Sequence, residues 1–219
     1  PALERALAPL IAIGAARKLV IDTYDREVER YGGDRGIELA ERMFWRDSEA
    51  VLSIVELLDG DAGADARWRL TLRGIESLFT VLGIEPAARA KISADAKENL
   101  GREHRATTPF WTRIGDRFTR ERASLEHLFT PDLERDAAHD LSPGFEMIAA
   151  RDAALAETVA ELRTRDAAGE LTPRIEAFAW SLAHMHANRL LHASHRAHEL
   201  VLYDFLRRLH AARKARQRP

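Results

Sequence analysis

The sequence predicts an α+β fold that is predominantly α-helical, with one strand near its N-terminus. Three observations carry this. From Ile37 onward, apolar residues recur at helical spacing with few interruptions. Residues 18–24 form the one stretch rich in Val, Ile, Thr and Tyr, the composition of a strand. No second such run follows, so that strand has nowhere within the chain to send its backbone N–H and C=O groups. The sheet it joins is therefore expected to lie outside the chain.

A chain of 219 residues suits one domain with a proper core. Its net charge of −2 gives no pull toward DNA or an anionic membrane. The absence of cysteine excludes disulfides and thiolate metal sites. No apolar run approaches the roughly 18 residues of a membrane span. Pro1 in first place, without a methionine, fits a start that lies elsewhere or has been trimmed.

In chain order, residues 3–13 read as a helix with Leu3, Leu7, Leu10 and Ile11 on its apolar side, loosened near Pro9 and Gly14. After the strand, residues 36–58 form one long amphipathic helix whose stripe runs through Ile37, Ala40, Phe44, Val51 and Ile54. Asp47 and Ser48 fall on or beside that stripe, as a satisfied core contact or as support behind a site. Residues 59–65 look like a calcium loop but lack its sixth-position glycine, and Leu70 stands where the loop needs Glu, so a flexible acidic linker is expected. Residues 67–82 make a helix stopped by Gly83, and Pro86 opens another that runs to about Leu100. Thr108 and Pro109 start a helix over 110–129, stopped by Thr130 and Pro131. Its Arg113, Arg117, Arg120 and Arg122 form a basic face, solvated or open to an acidic partner. Residues 132–143 read as an acidic loop, and 144–163 as helix again. Thr172 is a good N-cap with Pro173 behind it, and the helix they start runs to a basic, fraying tail.

Six of the nine histidines lie between 184 and 210, which raises the question of a metal. The spacing argues against one: His184 and His186 point to nearly opposite sides of a helix, and Asn188 occupies the i+4 position. No metal site is expected.

Two polar motifs stand out. The first is Asp22-Thr23-Tyr24-Asp25-Arg26-Glu27-Val28-Glu29-Arg30-Tyr31-Gly32-Gly33. As a strand it would set Glu27, Glu29 and Tyr31 opposite Arg26, Val28 and Arg30; as a helical turn it would bring Glu27 to Arg30 and Tyr31. The second is His184-Met185-His186-Ala187-Asn188-Arg189-Leu190-Leu191. Together, and with 39–50 fitting between them in the same order, they resemble the elimination domain of class I lanthipeptide dehydratases. The resemblance runs from near the start of the chain to its end without covering the whole family domain. Family members carry a strand-rich N-terminal half before this point, with an Arg-x-Arg pair facing the same site, so the resemblance implies that the strand at 18–24 joins a sheet from a missing N-terminal half of the domain. Arg67-Trp68-Arg69 has those letters but falls in a helical pattern and is no substitute. The implied portion of a single domain divides into strand and signature (1–35), helical body (36–171), a long C-terminal helix with a kink near Leu191 (172–212), and a basic tail (213–219).

The resemblance implies a carbon–oxygen lyase of lanthipeptide or thiopeptide biosynthesis. It removes glutamate from glutamylated Ser or Thr of a ribosomally made precursor peptide, leaving dehydroalanine or dehydrobutyrine. His184 suits proton transfer, Arg30 suits a carboxylate or developing oxyanion, and Glu27 either orients Arg30 or is itself the base. Arg26, Tyr31, Asn188 and Arg189 are the substrate-binding candidates; Asn188 and Arg189 could instead anchor the helix, and Tyr31 could simply pack. No cofactor is implied for elimination, glutamyl-tRNA serving the glutamylation step elsewhere in the system. Implied partners are the precursor peptide, the N-terminal part of the dehydratase or a separate glutamylating protein, a lanthipeptide cyclase, and a second copy in a homodimer. The implied location is the cytoplasm, free or held at the membrane through a biosynthetic complex. The alternatives are a thiopeptide pyridine-forming cyclase of the same fold, a non-catalytic module that binds peptide or a partner protein, and an unrelated helical adaptor. With its strand unpaired, the isolated chain is expected to be inactive and to self-associate.

Overall fold

Every regular element among the described residues is a helix. The computed structural model describes residues 2–20, 22–58, 60–129 and 140–216. In order these form α1 (Ala2–Ala12), α2 (Asp34–Glu56), α3 (Gly60–Val81), α4 (Pro86–Glu103), α5 (Thr108–His127), α6 (Ser142–Ala167), α7 (Ile175–Leu190) and α8 (His195–Arg216).

The expected strand is the main correction, and with it the expected α+β class. Residues 18–20 and 22–24 run without regular structure, and no sheet occurs among the described residues. Val, Ile and Tyr make a strand only where a neighbouring backbone completes the ladder. Here none does, and Val20 and Tyr24 stay exposed. The argument for self-association from an unpaired strand edge falls with it.

The signature stretch instead winds into a turn. The Tyr31 N–H points to the carbonyls of Glu27 and Val28, both at 3.3 Å, and the Gly33 N–H donates to the Val28 carbonyl at 2.9 Å. Gly32 and Gly33 take φ of 85° and 86°, which L side chains resist. Gly36, in the first turn of α2, lets the turn close back on the helix. A Cβ there would stand 1.8 Å from the Tyr31 carbonyl oxygen.

Three boundaries shift for traceable reasons. The described part of the expected acidic linker is helix, the start of α3, where Asp65 accepts from Trp68 Nε1 at 2.9 Å and Arg69 Nε at 2.7 Å. α7 starts at Ile175 rather than at Pro173, because its first free N–H is capped from α6: Ile175 N donates to Asp166 Oδ1 at 3.1 Å. The long C-terminal helix is two helices, parted over 191–194, where Leu191 turns extended (φ −78°, ψ 128°) and Ser194 adopts φ 48°. The expected stop at Thr130 and Pro131 lies outside the described residues, as does the acidic loop up to 139; α6 has begun by Ser142.

The core forms where α3 and α7 cross the others. α2 packs on α6 and α7, α3 on α6, α7 and α8, and α4 lies along α8. Phe79, Phe145, Phe178, Phe205 and Tyr203 are fully enclosed there. α7 is buried on most of its surface, so any polar group it carries must find a partner from another helix.

Candidate active site

α7 sets Trp180, His184 and Asn188 four residues apart, hence on one face, with Ser181 beside them. His184 is the centre of that face, its side chain 13% exposed. Its Nδ1 lies 2.8 and 3.0 Å from the two carboxylate oxygens of Glu199, and its Nε2 lies 3.1 Å from Asn188 Nδ2. A carboxylate accepts and an amide nitrogen donates, so the ring carries its proton on Nδ1 and its lone pair on Nε2. The Asn188 Oδ1 is buried and without a partner among the described residues. A half-turn of that amide would offer an acceptor to Nε2 once it gained a proton.

Glu199 was not foreseen. It is fully buried just past the first turn of α8 and reaches His184 only because the chain breaks between α7 and α8. In one continuous helix, residues fifteen apart would stand about four turns apart. The break is braced by Arg67 of α3, whose Nη1 donates to the Leu190 carbonyl at 2.8 Å.

The signature turn meets α7 at the same place. Arg30 Nε donates to Ser181 Oγ at 3.2 Å, across 151 positions of sequence. Its Nη1 lies 3.2 and 3.3 Å from the two oxygens of Glu27, the pairing that a helical turn allows. The Arg30 guanidinium sits 5.9 Å from the Trp180 ring centroid, and that same indole stacks on His184 at 6.1 Å and 15°. Arg30, Glu27, His184 and Asn188 are thus gathered around Trp180 and Ser181. Trp180 and Ser181 carried no motif signal beyond their place four and three residues before His184.

Of the other three candidates, Arg26 and Arg189 face elsewhere, and Tyr31 is enclosed with the Arg30 guanidinium 5.7 Å from its ring centroid. Arg26 forms a two-pronged pair with Glu41 of α2, Nε and Nη2 both at 2.8 Å. Tyr31 is 1% exposed, edge-on to Phe44 and Phe178, with its hydroxyl unpartnered among the described residues. Burial pushes its phenol up to about 12. Arg189 lies over the Phe44 ring at 4.8 Å and reaches Asp47 Oδ2 at 3.2 Å.

Asp47 is the hub behind the site. It receives His186 Nδ1 at 2.8 Å, Arg151 Nη1 at 3.1 Å and Arg189, joining α2, α6 and α7. Burial alone would raise its carboxyl, but His186 first, then Arg151 and Arg189, reverse that and hold it well below the usual carboxylate range. His184 and His186 therefore serve different elements, α8 and α2. His186 Nε2 rests against Gly74, where a Cβ would come within 2.1 Å. Among the described residues, no group of three or more His, Cys, Asp or Glu could hold a metal ion.

An imidazole held in one orientation, beside a guanidinium held by a carboxylate and a serine, is placed to take a proton from carbon next to a stabilised oxyanion. Residues 1–210 match the family model described as the C-terminal region of lantibiotic biosynthesis dehydratases. The chain belongs to that family. No curated protein and no solved structure matches it. As a lantibiotic dehydratase C-terminal region, it acts in the dehydration of lanthipeptide biosynthesis, and a precursor peptide is its partner. Among the described residues of this dehydratase region, no helix is long and apolar enough to cross a membrane.

Proposed function

We propose that this chain performs the glutamate-elimination step of dehydration, with His184 as the base. The observation that carries this is the clamp on His184: Glu199 on Nδ1, Asn188 on Nε2 and Trp180 against its face, beside Arg30. Nε2 removes the α-proton of a glutamylated Ser or Thr. The carbanion's charge passes to the adjacent carbonyl oxygen, toward which Arg30 turns its exposed side. The Cα–Cβ double bond forms as the Cβ–O bond breaks, and glutamate leaves with that electron pair as a carboxylate. Glu27 has both oxygens on Arg30 and is better suited to aiming that guanidinium than to taking a proton from carbon. The step as written needs no cofactor; glutamyl-tRNA would serve the glutamylation that precedes it.

The test supplies a synthetic glutamylated peptide to the dehydratase and follows the mass of the product. His184→Ala and Arg30→Ala should fold, leave the glutamyl adduct in place and lower turnover by about 10²-fold or more. Normal dehydration by either variant would overturn the assignment.

A further inference from the structure

Beside the α7–α8 break, a half-open cavity of about 500 Å³ lies between the N-terminal half of α3, the middle of α5, the 191–193 connector and the N-terminal half of α8. That volume suits a ligand of several heavy side-chain equivalents. Its walls are of two kinds. Trp68, Leu202 and other aliphatic side chains give it an apolar floor, while Arg67, Arg117, His192 and His198 stand around it. No carboxylate of the described residues lines it.

The two arginines are held in place without being saturated. Arg67 donates one N–H to the Leu190 carbonyl, and among the described residues it has no ion pair. Arg117 gives its Nε to Glu121 at 2.7 Å, and its guanidinium lies 4.9 Å from the Trp68 ring centroid. A guanidinium anchored by one donor and stacked on an indole keeps its remaining N–H groups for a planar anion. Trp68 is itself fixed: its Nε1 donates to Asp65, its ring packs edge-on to Phe205 at 6.1 Å, and a second guanidinium, that of Arg69, lies 4.5 Å from its centroid. The cavity therefore combines preset cations with a rigid aromatic wall, which fits a carboxylate carried next to an apolar group.

We propose that this cavity is a second peptide-binding site, taking an acidic segment of the precursor: a carboxylate on Arg67 and Arg117, and a neighbouring aliphatic or aromatic side chain against Trp68 and Leu202. The proposal needs only that the chain engages a peptide, so it stands apart from the elimination chemistry. It also gives a use to part of the basic face of α5, since Arg117 turns to the cavity while Arg122 is paired with Glu126 at 2.8 Å.

The experiment titrates the 219-residue chain into a fluorescein-labelled peptide of alternating Glu and Leu and reads anisotropy. Saturable binding is expected, weakened by added salt as for any exposed ion pair. Arg67→Gln and Arg117→Gln, checked for folding by circular dichroism, should each weaken it about 10-fold, the loss of one charge-assisted contact. His184→Ala should bind as the parent does, which separates this site from the proposed base. Equal binding of a Gln–Leu peptide, unchanged binding in both arginine variants, or loss of binding in His184→Ala would each overturn the proposal. So would N-acetylglutamate competing as tightly as the peptide, which would make the ligand a free small carboxylate.

Discussion

His184 has one hydrogen-bond partner on each nitrogen, and the two have different consequences when removed. Glu199 fixes which nitrogen carries the proton, so Glu199→Gln should leave the fold intact and lower kcat by about 10²-fold with little change in KM. Glu199→Asp, which restores the charge on a shorter stem, should recover part of it; equal activity of parent and Glu199→Gln would remove Glu199 from the reaction. Tyr31 makes the opposite case. Its hydroxyl is buried, so Tyr31→Phe removes a group that no described residue satisfies. Elimination by Tyr31→Phe should match the parent, and stability should change by no more than about 1 kcal/mol, upward if at all. A large loss of activity would mean that the phenol reaches substrate after all.

Helices here are joined by buried charge as well as by apolar stripes. Asp47 ties α2 to α6 and α7, while Glu76 of α3 receives Arg89 of α4 at 3.2 Å and Arg213 of α8 at 3.1 Å, with His210 Nε2 3.3 Å away. Removing one partner of such a group leaves the others charged and enclosed. Asp47→Ala should therefore cost about 3–5 kcal/mol in urea unfolding, far more than loss of a surface pair. Gly74→Ala tests the same junction by shape: its Cβ would press on His186 Nε2, and about 1–3 kcal/mol is expected from overpacking. Either variant unfolding at the parent's urea midpoint would show that the Asp47–His186 contact does not bind these helices together.

Across the molecule, the two hubs set the response to acid. Burial would raise Glu76, but His210, Arg89 and Arg213 more than offset it, so Glu76 joins Asp47 below the usual carboxylate range. A depressed folded value means stability that is full above the unfolded carboxylate value near 4 and is lost as pH falls through the folded one. Urea unfolding should thus hold steady at pH 6 and weaken progressively below about pH 4. Asp47→Asn with Glu76→Gln should be less stable at pH 6 yet flatter below 4; parallel acid profiles would exclude these two carboxylates as the cause. The helical class of residues 37 onward was legible in the residues alone, because amphipathic spacing and Gly or Pro stops are local properties. So were the two motifs that Arg30 and His184 belong to. The strand was misread for the same reason, since β-prone residues take that form only when another backbone pairs with them. Glu199 was equally out of reach: a kink near Leu191 was expected, but its approach to His184 needs a full break there, which no glycine or proline in this chain announces. Side-chain periodicity is written along one helix and can be read there; which nitrogen of His184 carries the proton is decided by a carboxylate on the next helix, and only packing brings it.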